Sequence, residues 1–311
     1  MSFAAVFPGQ GSQSVGMLGE LAGARPEVQH TFAEASEALG YDLWALVQQG
    51  PEERLNATER TQPALLVAGV AAWRVWKAAG GVDPAHMAGH SLGEYTALVC
   101  AGVLDFKAAV KLVEFRGQAM QQAVPAGQGA MAAILGLDDD QVRAACAEAA
   151  QGEVVEAVNF NAPGQVVIAG AAAAVQRTSE ACKAKGAKRA LPLPVSAPSH
   201  CALMKPAAEK LAERMASLQF NAPRIPVIHN VDVAAHADAA GIRAALKAQL
   251  HSPVRWVETV QKLAAAGDTK LVEFGPGKVL AGLTKRIDKA VEAYPVYDTT
   301  TLQAAMAAAG A

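Results

Sequence analysis

The run Gly89-His90-Ser91-Leu92-Gly93 constrains this chain more than any other feature. Gly80, Gly81 and Pro84 punctuate the approach to it, and an amphipathic stretch from 92 to 103 follows at once. This order reads as strand, sharp turn and helix. A Gly-x-Ser-x-Gly turn is so tight that side chains at the two glycines would collide with neighbouring backbone. Ser91 then projects from the tip of the turn. The unpaired first-turn amides of the helix, with the positive end of its dipole, face any negative charge that develops beside the hydroxyl.

Composition agrees with helices packed closely on a sheet: 52% of the 311 residues are hydrophobic but only 5% aromatic. A net charge of −2 gives no support to nucleic-acid binding. The first basic residue is Arg25, so the start lacks the charged region of a signal peptide, and a cytoplasmic location is expected. The longest uncharged run, 157–176, is interrupted by Asn159, Asn161, Pro163, Gly164 and Gln165, which argues against a membrane span. Cysteines 100, 146, 182 and 201 show no paired spacing and suit a reducing compartment. His86 and His90 are four apart, but on a strand their side chains would not converge on one ion, so no metal site is expected.

Taken in order, the pattern gives a strand over 3–7 and a glycine-rich loop, Pro8 to Gln13, followed by helices over 27–39 and 43–48. A longer apolar helix opens at Thr61-Gln62-Pro63 and runs to 79. After the serine turn, Asp105 is placed to cap a helix that reaches 124. Strand 130–135, capped helix 138–150, strands 154–160 and 165–169, helix 171–185 and strand 188–193 then spell βαββαβ, a ferredoxin-like unit. Further on come a helix over 204–220, strands 225–228 and 270–274, and a helix over 242–249. The turn Gly275-Pro276-Gly277 opens a last helix whose Lys278, Lys285 and Lys289 share one side, a solvated face that would also suit an acidic protein.

Three polar residues stand out. Arg116 falls on or beside the apolar stripe Phe106, Val110, Val113, Gly117, Met120, Val124, where it either pairs with a structural Asp or Glu, packs its stem while its head reaches water, or clamps a substrate carboxylate. His200 follows the proline-rich stretch 192–198, either on a surface linker or at a cleft between domains. Gln10 either caps the next helix or sits beside a reacting carbonyl.

Assembled, these pieces resemble the malonyl-CoA:acyl carrier protein transacylases of bacterial type II fatty-acid synthesis over nearly the whole length. The resemblance is carried by 7–13, Thr61-Gln62-Pro63-Ala64, Gly89 to Tyr95, Arg116-Gly117 and Asn159-Phe160-Asn161. It continues through Ser199-His200, Asn230-Val231-Asp232, Gln249 with Pro253-Val254, and Glu273 to Gly277. It implies an α/β-hydrolase-like large domain with a parallel-sheet core, 1–125 and 196–311, carrying an inserted ferredoxin-like subdomain, 126–195. It further implies Ser91 as acylated nucleophile, His200 as its base, and Gln249 orienting the histidine through a backbone carbonyl. The amides of Gln10 and Leu92 would form the oxyanion hole, with Arg116 on the malonyl carboxylate and Gln62 and Asn159 also at the substrate. The substrates would be malonyl-CoA and the phosphopantetheine thiol of acyl carrier protein, with no bound cofactor and the chain acting as a monomer. His229 is one departure, standing where resembling proteins often have asparagine, with an effect expected only on packing near the cleft. A hydrolase with the same turn would need an acid between 91 and 200, and Asp105 and Asp138 to Asp140 read as helix caps instead.

Overall fold

The computed structural model describes residues 2–195 and 197–310; Ser196, where the sequence reading resumes the large domain, lies outside the described residues, as do Met1 and Ala311. Five parallel strands form the central sheet: β1 (Ala4–Phe7), β2 (His86–Gly89), β7 (Val227–Ile228), β8 (Lys270–Phe274) and β9 (Glu292–Val296), in the order β7-β2-β1-β8-β9. Alternation along β1 sends Ala5 and Phe7 into one apolar cluster and Ala4 and Val6 into another. The sheet is thus covered on both faces, as a parallel sheet must be.

A second, antiparallel sheet comes from β3 (Gly129–Leu135), β4 (Val155–Ala162), β5 (Gln165–Ala171) and β6 (Arg189–Pro192), in the order β4-β5-β3-β6. With the helices Asp139–Ala149 and Ala172–Ala184 on one face, it has the βαββαβ order read from the sequence. Its other face carries Met131, Val158 and Val167 against Cys201.

Local chemistry explains the boundaries. Asp105 accepts from Ala108 N at 2.9 Å to start the helix Phe106–Ala123, and Asp138 forms a reciprocal capping box with Gln141. Asp105 and Asp138, two of the acids a hydrolase triad could have drawn on, are therefore occupied as caps. Several boundaries differ from the sequence reading: the helix read over 204–220 spans Lys205–Ala216, the one read over 242–249 starts at Ala239, the strand read over 225–228 is Val227–Ile228, and the long helix spans Thr58–Ala78, with Pro63 in its second turn. Proline lacks the N–H that would bond back one turn. The helix nevertheless starts early because Thr61 Oγ1 donates to Leu55 O at 2.6 Å and to Ala57 O at 3.2 Å, bracing the first turn.

Gly117 lets the helix Phe106–Ala123 close on that first turn: a Cβ there would lie 2.6 Å from Glu59 Cα. The close approach brings Arg116 to Gln62.

Candidate active site

The turn after β2 leads into the helix Gly93–Cys100 and holds Ser91 at a φ of 52°, a left-handed conformation that costs a non-glycine residue about 1–2 kcal/mol. A Cβ on Gly89 would lie 1.9 Å from the Gly93 carbonyl carbon, and one on Gly93 2.0 Å from Phe7 O. Only glycine fits at either place. The strain is retained because the surroundings fix the backbone on both sides: Ser91 N donates to Asn230 Oδ1 at 2.8 Å, and Gln249 Nε2 donates to Ser91 O at 2.9 Å.

Ser91 Oγ and His200 Nε2 are 2.7 Å apart, across 109 positions of sequence. His200 Nδ1 donates to the backbone oxygen of Gln249 at 2.7 Å, which fixes the tautomer and leaves Nε2 to accept from the serine. The partner is a neutral carbonyl where a hydrolase triad has a carboxylate. His200 is buried, and burial first, then the charge of Arg116, push it down to about 3. The imidazole is therefore neutral in the free protein, with Nε2 unprotonated beside the serine hydroxyl.

Arg116 is 2% exposed and has no carboxylate partner among the described residues. Nη1 donates to Gln62 Oε1 at 2.8 Å, Nη2 donates to Gln249 Oε1 at 3.2 Å, and the guanidinium carbon lies 5.4 Å from the centre of the Tyr95 ring. Nε has no partner. Of the alternatives that the sequence left open, a structural ion pair is not the one found. A buried cation satisfied only by neutral amides is a site for an anion.

Ser91, His200 and Arg116 line one cavity of about 320 Å³, with Gln10, Leu92 and Asn159. The amides of Gln10 and Leu92 have no hydrogen-bond partner among the described residues, which leaves both free for an oxyanion. The Gln10 side chain caps nothing in the next helix; its Nε2 donates to Thr58 Oγ1 at 3.4 Å. Asn159, on β4, has a buried, unpartnered Oδ1. Gln62 and Gln249 are wholly buried behind Arg116 and are not part of the cavity wall. Gln62 thus meets substrate only through the guanidinium.

His86 and His90 do not converge: His86 Nδ1 donates to Asp268 at 2.6 Å, and His90 Nε2 donates to Asn161 Oδ1 at 2.7 Å. All four cysteines are free and buried. No helix among the described residues is long and apolar enough to cross a membrane.

Sequence reasoning missed the side chain of Gln249, which touches both Ser91 and Arg116, and it missed a polar cluster behind the turn. There Glu94, His229 and Asn230 are fully buried together, so His229 is more than a packing change. A signal was present: Glu94 is the only charged residue in 92–103.

The family model for the acyl transferase domain matches residues 5–302. A malonyl CoA-acyl carrier protein transacylase from Salmonella typhimurium is 63% identical over 304 residues, 98% of either chain. Among solved structures, an acyl carrier protein S-malonyltransferase from Vibrio cholerae aligns over 98% of this chain and 99% of its own with a TM-score of 0.95 and 66% identity. A malonyl-transacylase in complex with its type II PKS acyl-carrier protein aligns over 99% and 100% with a TM-score of 0.98 and 61% identity.

Proposed function

We propose, from the premise that this chain belongs to the acyl transferase domain family and within it to the malonyl CoA-acyl carrier protein transacylases, that it carries malonyl groups from malonyl-CoA to acyl carrier protein. The observation that carries this reading is Arg116, a buried cation with no carboxylate partner among the described residues, on the wall of the cavity that holds Ser91 and His200.

Ser91 gives its proton to His200 Nε2 as Oγ attacks the thioester carbon, and the tetrahedral oxyanion is met by the amides of Gln10 and Leu92. Collapse expels CoA as thiolate, which takes the proton from the imidazolium, and malonyl-Ser91 remains. The phosphopantetheine thiol then enters the same cavity, passes its proton to His200 and attacks the ester carbonyl. Collapse of that second oxyanion frees Ser91, reprotonated by His200. Malonyl-acyl carrier protein leaves for chain elongation. Throughout, Arg116 holds the free carboxylate, and an acetyl group would leave the guanidinium unpaired, so discrimination of about 10⁴ is within reach. Asn159 offers its free oxygen to the amide-rich arm shared by both thioesters. Substrates suffice for this chemistry without a bound cofactor. The four free cysteines support a cytoplasmic setting.

Mass spectrometry of the protein mixed with malonyl-CoA tests the reading. A stable malonyl adduct on Ser91, with a single burst of CoA, is expected; continuous CoA release without a thiol acceptor would instead mark a hydrolase.

A further inference from the structure

Behind the reacting side of the serine turn runs a chain of buried polar groups that the transfer steps above do not use. Glu94 lies in the first turn of the helix Gly93–Cys100, and His229 and Asn230 lie just past β7. One oxygen of Glu94 accepts from His229 Nδ1 at 2.7 Å and the other from Asn230 N at 2.8 Å. Asn230 in turn grips the turn twice. Its Nδ2 donates to Gly89 O at 2.7 Å, and its Oδ1 accepts from Ser91 N at 2.8 Å. It therefore holds the chain on both sides of His90, at the residue whose φ is left-handed.

A carboxylate with no access to water is tolerated only when both oxygens are satisfied and its charge is met. His229 does both. Burial disfavours its charged form, but the charge and hydrogen bond of Glu94 outweigh that and raise it above the ordinary histidine value. The other titratable groups facing it are Asp232 and His236; the His236 ring lies 5.2 Å away and its Nε2 donates to Asp232 at 2.7 Å. None of Glu94, His229 and Asn230 lines the cavity, so none meets the acyl group.

We propose that Glu94 and His229 are positioning residues for acyl transfer: as a buried pair they fix Asn230, and Asn230 fixes the backbone of Ser91 so that its hydroxyl meets His200. The proposal rests on Ser91 being the nucleophile, and it predicts damage to turnover without damage to substrate binding.

The test compares His229→Leu, which removes the donor, with His229→Asn, whose amide nitrogen takes the place of Nδ1 and keeps it. Two readouts on the full chain are steady-state malonyl transfer and the rate at which a fluorophosphonate labels Ser91, a reaction that needs the nucleophile and base but no malonyl group. In the leucine variant, kcat and the labelling rate both fall about tenfold or more while KM for malonyl-CoA stays within about twofold, as expected for loss of a hydrogen bond to a charged group. The asparagine variant returns both to within about threefold. A folded leucine variant with unchanged labelling and kcat, or equal losses in the two variants, overturns the proposal. Should the leucine variant fail to fold, Glu94→Gln, which turns one acceptor into a donor, carries the same comparison. Failure of the wild-type chain to take malonyl while still labelling would sink the malonyl reading and leave this one standing.

Discussion

The backbone oxygen of Gln249 lies 2.7 Å from His200 Nδ1, while the side chain of the same glutamine donates to Ser91 O and accepts from Arg116. One residue thus orients the base, pins the nucleophile and steadies the clamp. In Gln249→Ala the carbonyl remains but the other two ties go, and a loss of about 1–3 kcal/mol for each of the two buried groups left unpaired predicts a fall of roughly thirtyfold or more in kcat/KM. Steady-state kinetics check this; wild-type rates in the variant would confine Gln249 to its carbonyl.

Ser91→Ala and His200→Ala each remove a partner from one proton-transfer pair. Each is expected to lose malonyl transfer by about 10³-fold or more, and the double variant should be little worse than either single one. Additive losses would mean that the two do not act as a unit.

Arg116→Ala removes the only arginine or lysine among the described residues of the acyl pocket wall. Malonyl transfer falls by about a hundredfold or more while acetyl transfer from acetyl-CoA gains in relative rate. A competition assay with both thioesters reads the ratio, and an unchanged ratio would remove the clamp.

The acid limb of the rate should depend on the acyl group. In the free protein burial, and after it Arg116, hold His200 down to about 3, so the imidazole stays neutral over the working range. A bound malonyl carboxylate neutralises Arg116 and lifts this second cause. The limb in kcat for malonyl-CoA should therefore lie at higher pH than the limb in kcat/KM, with no such gap for acetyl-CoA. Identical limbs for the two thioesters would exclude the coupling.

His229 links stability to pH in the opposite sense. Its folded value is raised above the ordinary histidine value of 6.5, so its contribution is complete below about 6.5 and is lost as pH rises through the folded value. The gap in thermal midpoint between the wild type and His229→Leu should shrink on going from acid to alkaline buffer. A gap independent of pH would mean that the pair is not charged.

Much of this was legible in the chain itself. The strand, turn and helix around Ser91 follow from local spacing, as do the caps Asp105 and Asp138, whose acceptors bond within three residues. The βαββαβ order was legible for the same reason, since its elements are short, regular and separated by turn residues. What escaped depends on residues far apart in sequence. Helical spacing placed Arg116 on the buried stripe but could not say that Gln62 and Gln249, 54 and 133 positions away, would face it. Nor could it join Glu94 to Asn230 across 136 positions. The start of the long helix was misplaced because proline usually marks a first turn, and here the bonds of Thr61 braced an earlier one.

The cavity is walled from two sides. Ser91, His200 and Arg116 stand with the parallel sheet and its helices, whereas Met131 and Asn159 project from strands of the antiparallel sheet, which has an apolar cluster of its own. Reaction and fit are therefore inherited through different stretches of the polypeptide. Substitutions at Met131 and Asn159 would hand the chemistry a differently shaped mould, so that breadth of acyl choice can be tuned from the antiparallel sheet provided that Asn161, which holds His90 beside the serine, and the face that packs on Cys201 are kept.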